Sequence, residues 1–223
     1  MSNYKIGETV FFGHYPQTKD AKIEPVEWII LDIKDDKALL LSKYALDCRP
    51  YEKENIFSFV WESCFLRSWL NQVFYNSAFD QLEKGKIIAR VTSSGNMTSG
   101  EKIRDNVFLL TVEDVIKYFK MKPYRNSYCS DLASGCIPTE YAIKQGAAVF
   151  DVTEEELLDL KECGCTHISL GDTVGLAWWI QTPKESNNAR YVLFDGFLDN
   201  DAYNDYFWEA AVRPAIWVSL KPD

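Results

Sequence analysis

The chain has 223 residues with 47% hydrophobic, 14% aromatic and 26% charged side chains, which supplies one well-buried core and excludes disordered or collagen-like classes. Lys plus Arg total 24 against 33 Asp plus Glu, so the net charge of −9 repels phosphate backbones and anionic lipid surfaces. Neither nucleic acid nor a membrane is expected as a partner.

Met1 to Gly7 lacks the charged and apolar regions of an export signal, and no apolar run approaches spanning length, so a cytoplasmic location is expected. Cys48, Cys64, Cys129, Cys136, Cys163 and Cys165 are accordingly expected as reduced thiols. The Cys163-Gly164-Cys165 spacing is tighter than that of structural zinc sites, and His14 and His167 are the only histidines. No metal and no other cofactor is expected.

In chain order, Thr9 to Phe12 reads as a short strand running into a turn over Gly13 to Gln17. Val26 to Ile33 and Ala38 to Ser42 flank the polar connector Lys34-Asp35-Asp36-Lys37, which predicts an antiparallel hairpin. Phe65, Leu66, Trp69, Leu70, Val73 and Phe74 recur at three- and four-residue steps, a helix face with Ser63 as its N-cap, and a second short helix is predicted over Ala78 to Lys84. Gly95 to Arg104 reads as a loop, followed by a buried strand at Val107 to Leu110. Thr111 with Asp114 caps a helix over Val112 to Phe119.

Tyr124 to Pro138 has little periodicity and reads as irregular chain, and Thr139 to Lys144 reads as a short helix stopped by Gly146. Thr153 and Glu156 form a capping box for a helix ending at Gly164. Three strands close the chain at Leu176 to Ile180, Arg190 to Phe194 and Val212 to Val218; Pro214 marks the last as an edge or a strand start. No repeat or linker divides the sequence, so residues 1–223 are expected to form one α+β domain.

Within the acidic stretch, Asp195, Asp199, Asn200, Asp201, Asn204 and Asp205 place six hard oxygen donors in eleven positions. With Asp199 as the first position, the EF-hand order is broken by Tyr203 at the fifth, by the absent glycine at the sixth and by the absent glutamate at the twelfth, so a solvated loop is the plainer reading. Trp178 and Trp179 are adjacent in a predicted strand, so one packs inward and the other faces a second layer or a ligand. An outward Trp beside Gln181, Asn187 and Asn188 suits stacking on sugar rings or planar ligands. No nucleophile elbow, P-loop or dinucleotide fingerprint occurs.

The ordered series Phe12-Gly13-His14-Tyr15-Pro16-Gln17, Val26-Glu27-Trp28, Leu46-Asp47, Leu66-Arg67-Ser68-Trp69-Leu70-Asn71, Val107-Phe108-Leu109-Leu110, Pro138-Thr139-Glu140-Tyr141-Ala142, Trp178-Trp179-Ile180 and Val212-Arg213-Pro214-Ala215-Ile216-Trp217 resembles a bacterial family of uncharacterised domains, domain of unknown function six-two-seven-three. That pattern is similar to the C-type-lectin-like fold. The resemblance implies small antiparallel sheets flanked by helices, N- and C-terminal strands adjacent, with Thr9 to Phe12 near Ile216 to Val218, and a variable surface between Pro183 and Asp205. Tyr203-Asn204-Asp205 resembles the calcium motif of true lectins, but Gln181-Thr182-Pro183 departs from its partner motif.

The expectation is thus a binding domain for a small molecule, glycan or protein. Its site would comprise Trp178, Trp179, Gln181, Asn187, Asn188, Arg190, Asp199, Asn200, Asp201, Asn204 and Asp205. Two alternatives are an enzyme using one of Cys129, Cys136 or Cys165, the first two of them open to pairing with His167, and a structural or assembly module.

Overall fold

The computed structural model describes residues 4–53, 60–93, 102–124, 127–129, 135–162, 168–182, 189–198 and 210–221. The chain opens with β1 (Thr9–Pro16), β2 (Ile23–Lys34), β3 (Lys37–Ser42) and β4 (Asp47–Cys48). Next come α1 (Phe65–Trp69), a π turn (Leu70–Phe74), α2 (Tyr75–Ala78), α3 (Gln81–Lys86), β5 (Ile87–Ile88), β6 (Arg90–Ser93) and β7 (Lys102–Asp105). Then follow α4 (Val112–Tyr118), β8 (Lys122–Tyr124), β9 (Ser127–Cys129), α5 (Glu140–Lys144), β10 (Val149–Asp151) and α6 (Glu154–Glu162). The described chain closes with β11 (Thr173–Gly175), β12 (Ala177–Ile180), β13 (Arg190–Leu193), β14 (Ala211–Val212) and β15 (Ala215–Ser219). The fold is α+β and its sheets are mostly antiparallel.

Two sheets organise these elements. A curled, five-stranded half-barrel runs β1-β2-β3-β15-β5, and a four-stranded sheet runs β13-β12-β14-β4. The expected hairpin over residues 34–37 is present, its turn admitting Asp35 at φ +55°. The expected adjacency of the first and last strands is corrected: β1 and β15 share the half-barrel, but β2 and β3 lie between them. The turn expected over Gly13 to Gln17 is corrected as far as Pro16, since β1 continues to that residue with a bulge between Phe11 and His14 absorbing the irregularity. Gly13 sits there at φ +72°, and a Cβ would lie 2.6 Å from Phe79 Cε1. Only glycine permits both the conformation and the approach.

The sheets are joined through the chain between β14 and β15 and through the chain after β7. Val212 and Ala215 belong to different sheets, so the single strand expected over Val212 to Val218 is two, with Pro214 at the crossing and β15 starting after it. Arg213 is buried at that crossing; its Nε donates to the Ser42 carbonyl at 3.0 Å, and its guanidinium lies 5.0 Å from the Trp178 ring centre and 5.8 Å from that of Phe119. Val107 to Leu110 is fully buried as expected, but it forms bridges rather than a ladder strand. Phe108 exchanges both backbone hydrogen bonds with Ala215 of the half-barrel, and the Leu110 carbonyl accepts from Gln181 N beyond β12.

The helical segment shows why period alone was insufficient. Its cap is Cys64, whose sulfur accepts from Arg67 N at 3.3 Å, not Ser63. Its middle widens into a π turn that places Asn71 against the chain after β7. There the Asn71 Oδ1 accepts from Asn106 N at 2.8 Å and Val107 N at 3.2 Å, and Nδ2 donates to Val107 O at 2.8 Å. Arg67, Trp61 and Asn71 all donate to the buried Asp105 carboxylate.

Two further expectations are revised. Lys102 to Arg104 belongs to the β6–β7 ribbon rather than a loop, and the span expected to be irregular contains β9, which pairs with β8 just before it. The capping boxes at Thr111/Asp114 and Thr153/Glu156 are formed as expected. A third box, Asp80 with Glu83, starts α3.

Candidate functional site

The half-barrel is filled along only part of its concave side. Near α2 and α3, Phe79 packs 5.5 Å from Phe12 and 6.3 Å from Trp28, and Phe74 packs 4.9 Å from Tyr15. Towards the β2–β3 turn that filling stops, leaving an open groove of about 890 Å³. Alternation along the strands sets its apolar wall: Val10 and Phe12 from β1, Ile30 and Ile33 from β2, Ala38 and Leu40 from β3 and Val218 from β15. Tyr4 and Phe11 stand at the mouth, and Phe11 is 70% exposed. Asp35 and Asp36 line the turn end, while Lys86 and Lys221 line the side formed by α3 and the chain after β15.

The groove has the volume of a small-molecule cleft, and it sets charged side chains at its mouth beside apolar ones on its wall. Sequence reading missed it because its wall residues alternate as they would in any half-buried hairpin. Only the curl of the sheet turns that face into a concavity.

The described residues of the sequence-predicted site, Trp178, Trp179, Gln181 and Arg190, fall elsewhere. Trp178 and Trp179 do point to opposite faces, but both faces are covered. Trp178 meets Phe119 and Arg213; Trp179 meets Tyr51 at 5.6 Å and Tyr191 at 6.4 Å, and its Nε1 donates to the Arg49 carbonyl. At 1% and 2% exposure neither ring is displayed for stacking, which corrects the expectation of an outward Trp. Gln181 and Arg190 are brought together at one end of the β12–β13 pair, both half-buried; Arg190 N donates to Thr182 Oγ1. Asn187, Asn188, Asp199, Asn200, Asp201, Asn204 and Asp205 lie outside the described residues.

A polar hub lies between β1 and β4. Asp47, fully buried, accepts from Tyr15 OH at 2.6 Å, from Cys48 N at 2.7 Å and from Arg49 Nη2 at 3.2 Å. Burial pushes the Asp47 carboxyl above its usual range, against the opposing pull of Tyr15 and Arg49. Among the described residues every Asp47 contact is internal, so the hub fastens β4 to β1.

The thiols bear on the enzymatic alternative. Cys48, Cys64 and Cys136 are buried thiols. Burial pushes the Cys64 thiol up to about 12 and raises that of Cys136, the reverse of an activated nucleophile. Cys163, Cys165 and His167 lie outside the described residues. Among the described residues no group of three or more His, Cys, Asp or Glu side chains is arranged to hold a metal, and no helix is long and apolar enough to cross a membrane.

A family model described as Domain of unknown function (DUF6273) matches residues 35–220, which takes in every described element from β3 to β15. No curated protein and no solved structure matches the chain.

Proposed function

The chain belongs to the family described as Domain of unknown function (DUF6273), and from that premise we propose that it is a ligand-binding domain whose site is the half-barrel groove. The observation carrying this reading is the apolar concavity of about 890 Å³ bounded by Val10, Phe12, Ile33 and Leu40. Its size matches a ligand with an apolar body, and burying that body supplies about 25 cal/mol per Å² of apolar surface removed from water. A C-type-lectin-like kinship is supported by the first and last long strands sharing one sheet and by a second, smaller sheet carrying the β12–β13 pair. The polar positions from Asn187 to Asp205 remain part of the proposal as a second surface for a glycan or protein, with a cytoplasmic location.

Fluorescence titration with the neutral apolar dye N-phenyl-1-naphthylamine tests the groove. Ile33→Glu and Leu220→Glu, both at half-buried lining positions, are expected to weaken binding about tenfold or more, since each places a charge against the apolar body. Leu158→Glu, at a position 64% exposed on α6, is expected to leave it unchanged. Equal dye affinity in all four proteins overturns the reading.

A further inference from the structure

The charges at the groove mouth carry a more specific conclusion, which rests on the groove being the binding site. Asp35 and Asp36 project from the β2–β3 turn; Lys86 ends α3, and Lys221 follows β15. Two groups of each sign therefore stand around one apolar cleft. Asp36 and Lys221 approach each other at 3.8 Å, with side chains 72% and 70% exposed. An ion pair that exposed is worth little, so an incoming ligand separates it at small cost.

Asp35 is held by the turn at φ +55°, in the left-handed region that tight hairpins impose. Lys86 is set by the other wall, where Ile87 pairs with Val218. The acidic and basic groups therefore belong to different elements around the cleft. A ligand carrying one net charge meets an attractive pair and a repulsive pair. A ligand carrying both signs satisfies each pair with its own end.

We infer that the groove takes a zwitterionic amphiphile, its apolar body against Val10, Ile33 and Leu40, its cationic group towards Asp35 and Asp36 and its anionic group towards Lys86 and Lys221. Binding is non-covalent. The chemistry fits a long-chain amino acid, a betaine or a zwitterionic lipid headgroup with a short chain.

Isothermal titration with four ten-carbon amphiphiles, each below its micelle concentration, separates the cases: decyl sulfobetaine, decyl sulfate, decyltrimethylammonium and decyl glucoside. The sulfobetaine is expected to bind about tenfold more tightly than the other three. Lys86→Gln and Asp35→Asn, at the mouth, are each expected to remove several-fold of the sulfobetaine's advantage over the glucoside. Equal affinity for glucoside and sulfobetaine, or an unchanged sulfobetaine affinity in both variants, overturns the inference. Retained binding of the neutral naphthylamine dye in that event leaves the groove reading standing; loss of dye binding in Ile33→Glu but none of the amphiphiles binding wild-type protein likewise rejects only the zwitterion.

Discussion

Cys64 shows how one side chain serves structure at the expense of reactivity. Its sulfur accepts the Arg67 amide as the cap of α1, at 1% exposure, and burial drives its thiol to about 12. At pH 8 that leaves roughly a thousandfold less thiolate than an ordinary cysteine carries. Iodoacetamide at pH 8, read by peptide mass spectrometry, is expected to label Cys64 and Cys136 at least about a hundredfold more slowly in folded protein than in guanidinium. Fast labelling of either in the folded state would restore the cysteine-enzyme alternative at that residue. Residue-scale features were legible in the sequence where the partner is local. Thr111 with Asp114 and Thr153 with Glu156 are three positions apart, so spacing alone identifies them. Choosing Cys64 over its neighbour Ser63 required the path of the chain from Val60, whose carbonyl accepts from both residues.

At the scale of elements, the helix over residues 65–78 is a device for holding the strand beyond it. A regular α-helix would leave Asn71 on a different bearing; the π turn lets one amide side chain bond Asn106 and Val107. Asn71→Ala leaves the two backbone amides and the Val107 carbonyl without their side-chain partner, and an expected loss of about 2 kcal/mol follows. Urea unfolding with an unchanged slope checks it; a loss below about 0.5 kcal/mol would show that water replaces the side chain fully. Apolar periodicity could locate this helix but not its widened turn, because Phe65, Leu66, Trp69, Leu70 and Phe74 fit either geometry. The Val212 to Val218 run posed the opposite difficulty. Its side chains read as one strand, and Pro214 signalled a break without saying that the two halves enter different sheets.

Across the whole molecule, one large core cluster reaches from Val26 and Trp28 through Phe108 to Trp178, Trp179 and Ile216, so both sheets are packed into it. The β10–β11 ribbon and α6 rest on a separate cluster of Val152, Ile168 and Val174, joined by Phe150, Leu157 and Phe194. So small a cluster supports local opening below the global unfolding free energy. Hydrogen exchange is expected to proceed at Phe150 and Val174 by an opening at least about 2 kcal/mol cheaper than at Leu39 to Leu41. Equal protection in the two regions would join them into one cooperative unit. Class and hairpins were legible at this scale because they follow from short-range pattern. Strand order was not, since placing β15 between β3 and β5 depends on pairings about 130 to 180 positions apart.

Tyr4 and Lys221 both line the groove, although they sit near opposite extremes of the numbering. An affinity handle or fluorescent protein fused at position 4 or 221 would emerge beside the opening and shade it. Assays on such fusions would understate occupancy, whereas a marker grafted into the exposed first turn of α6, around Glu154 and Glu155, would leave the entrance clear.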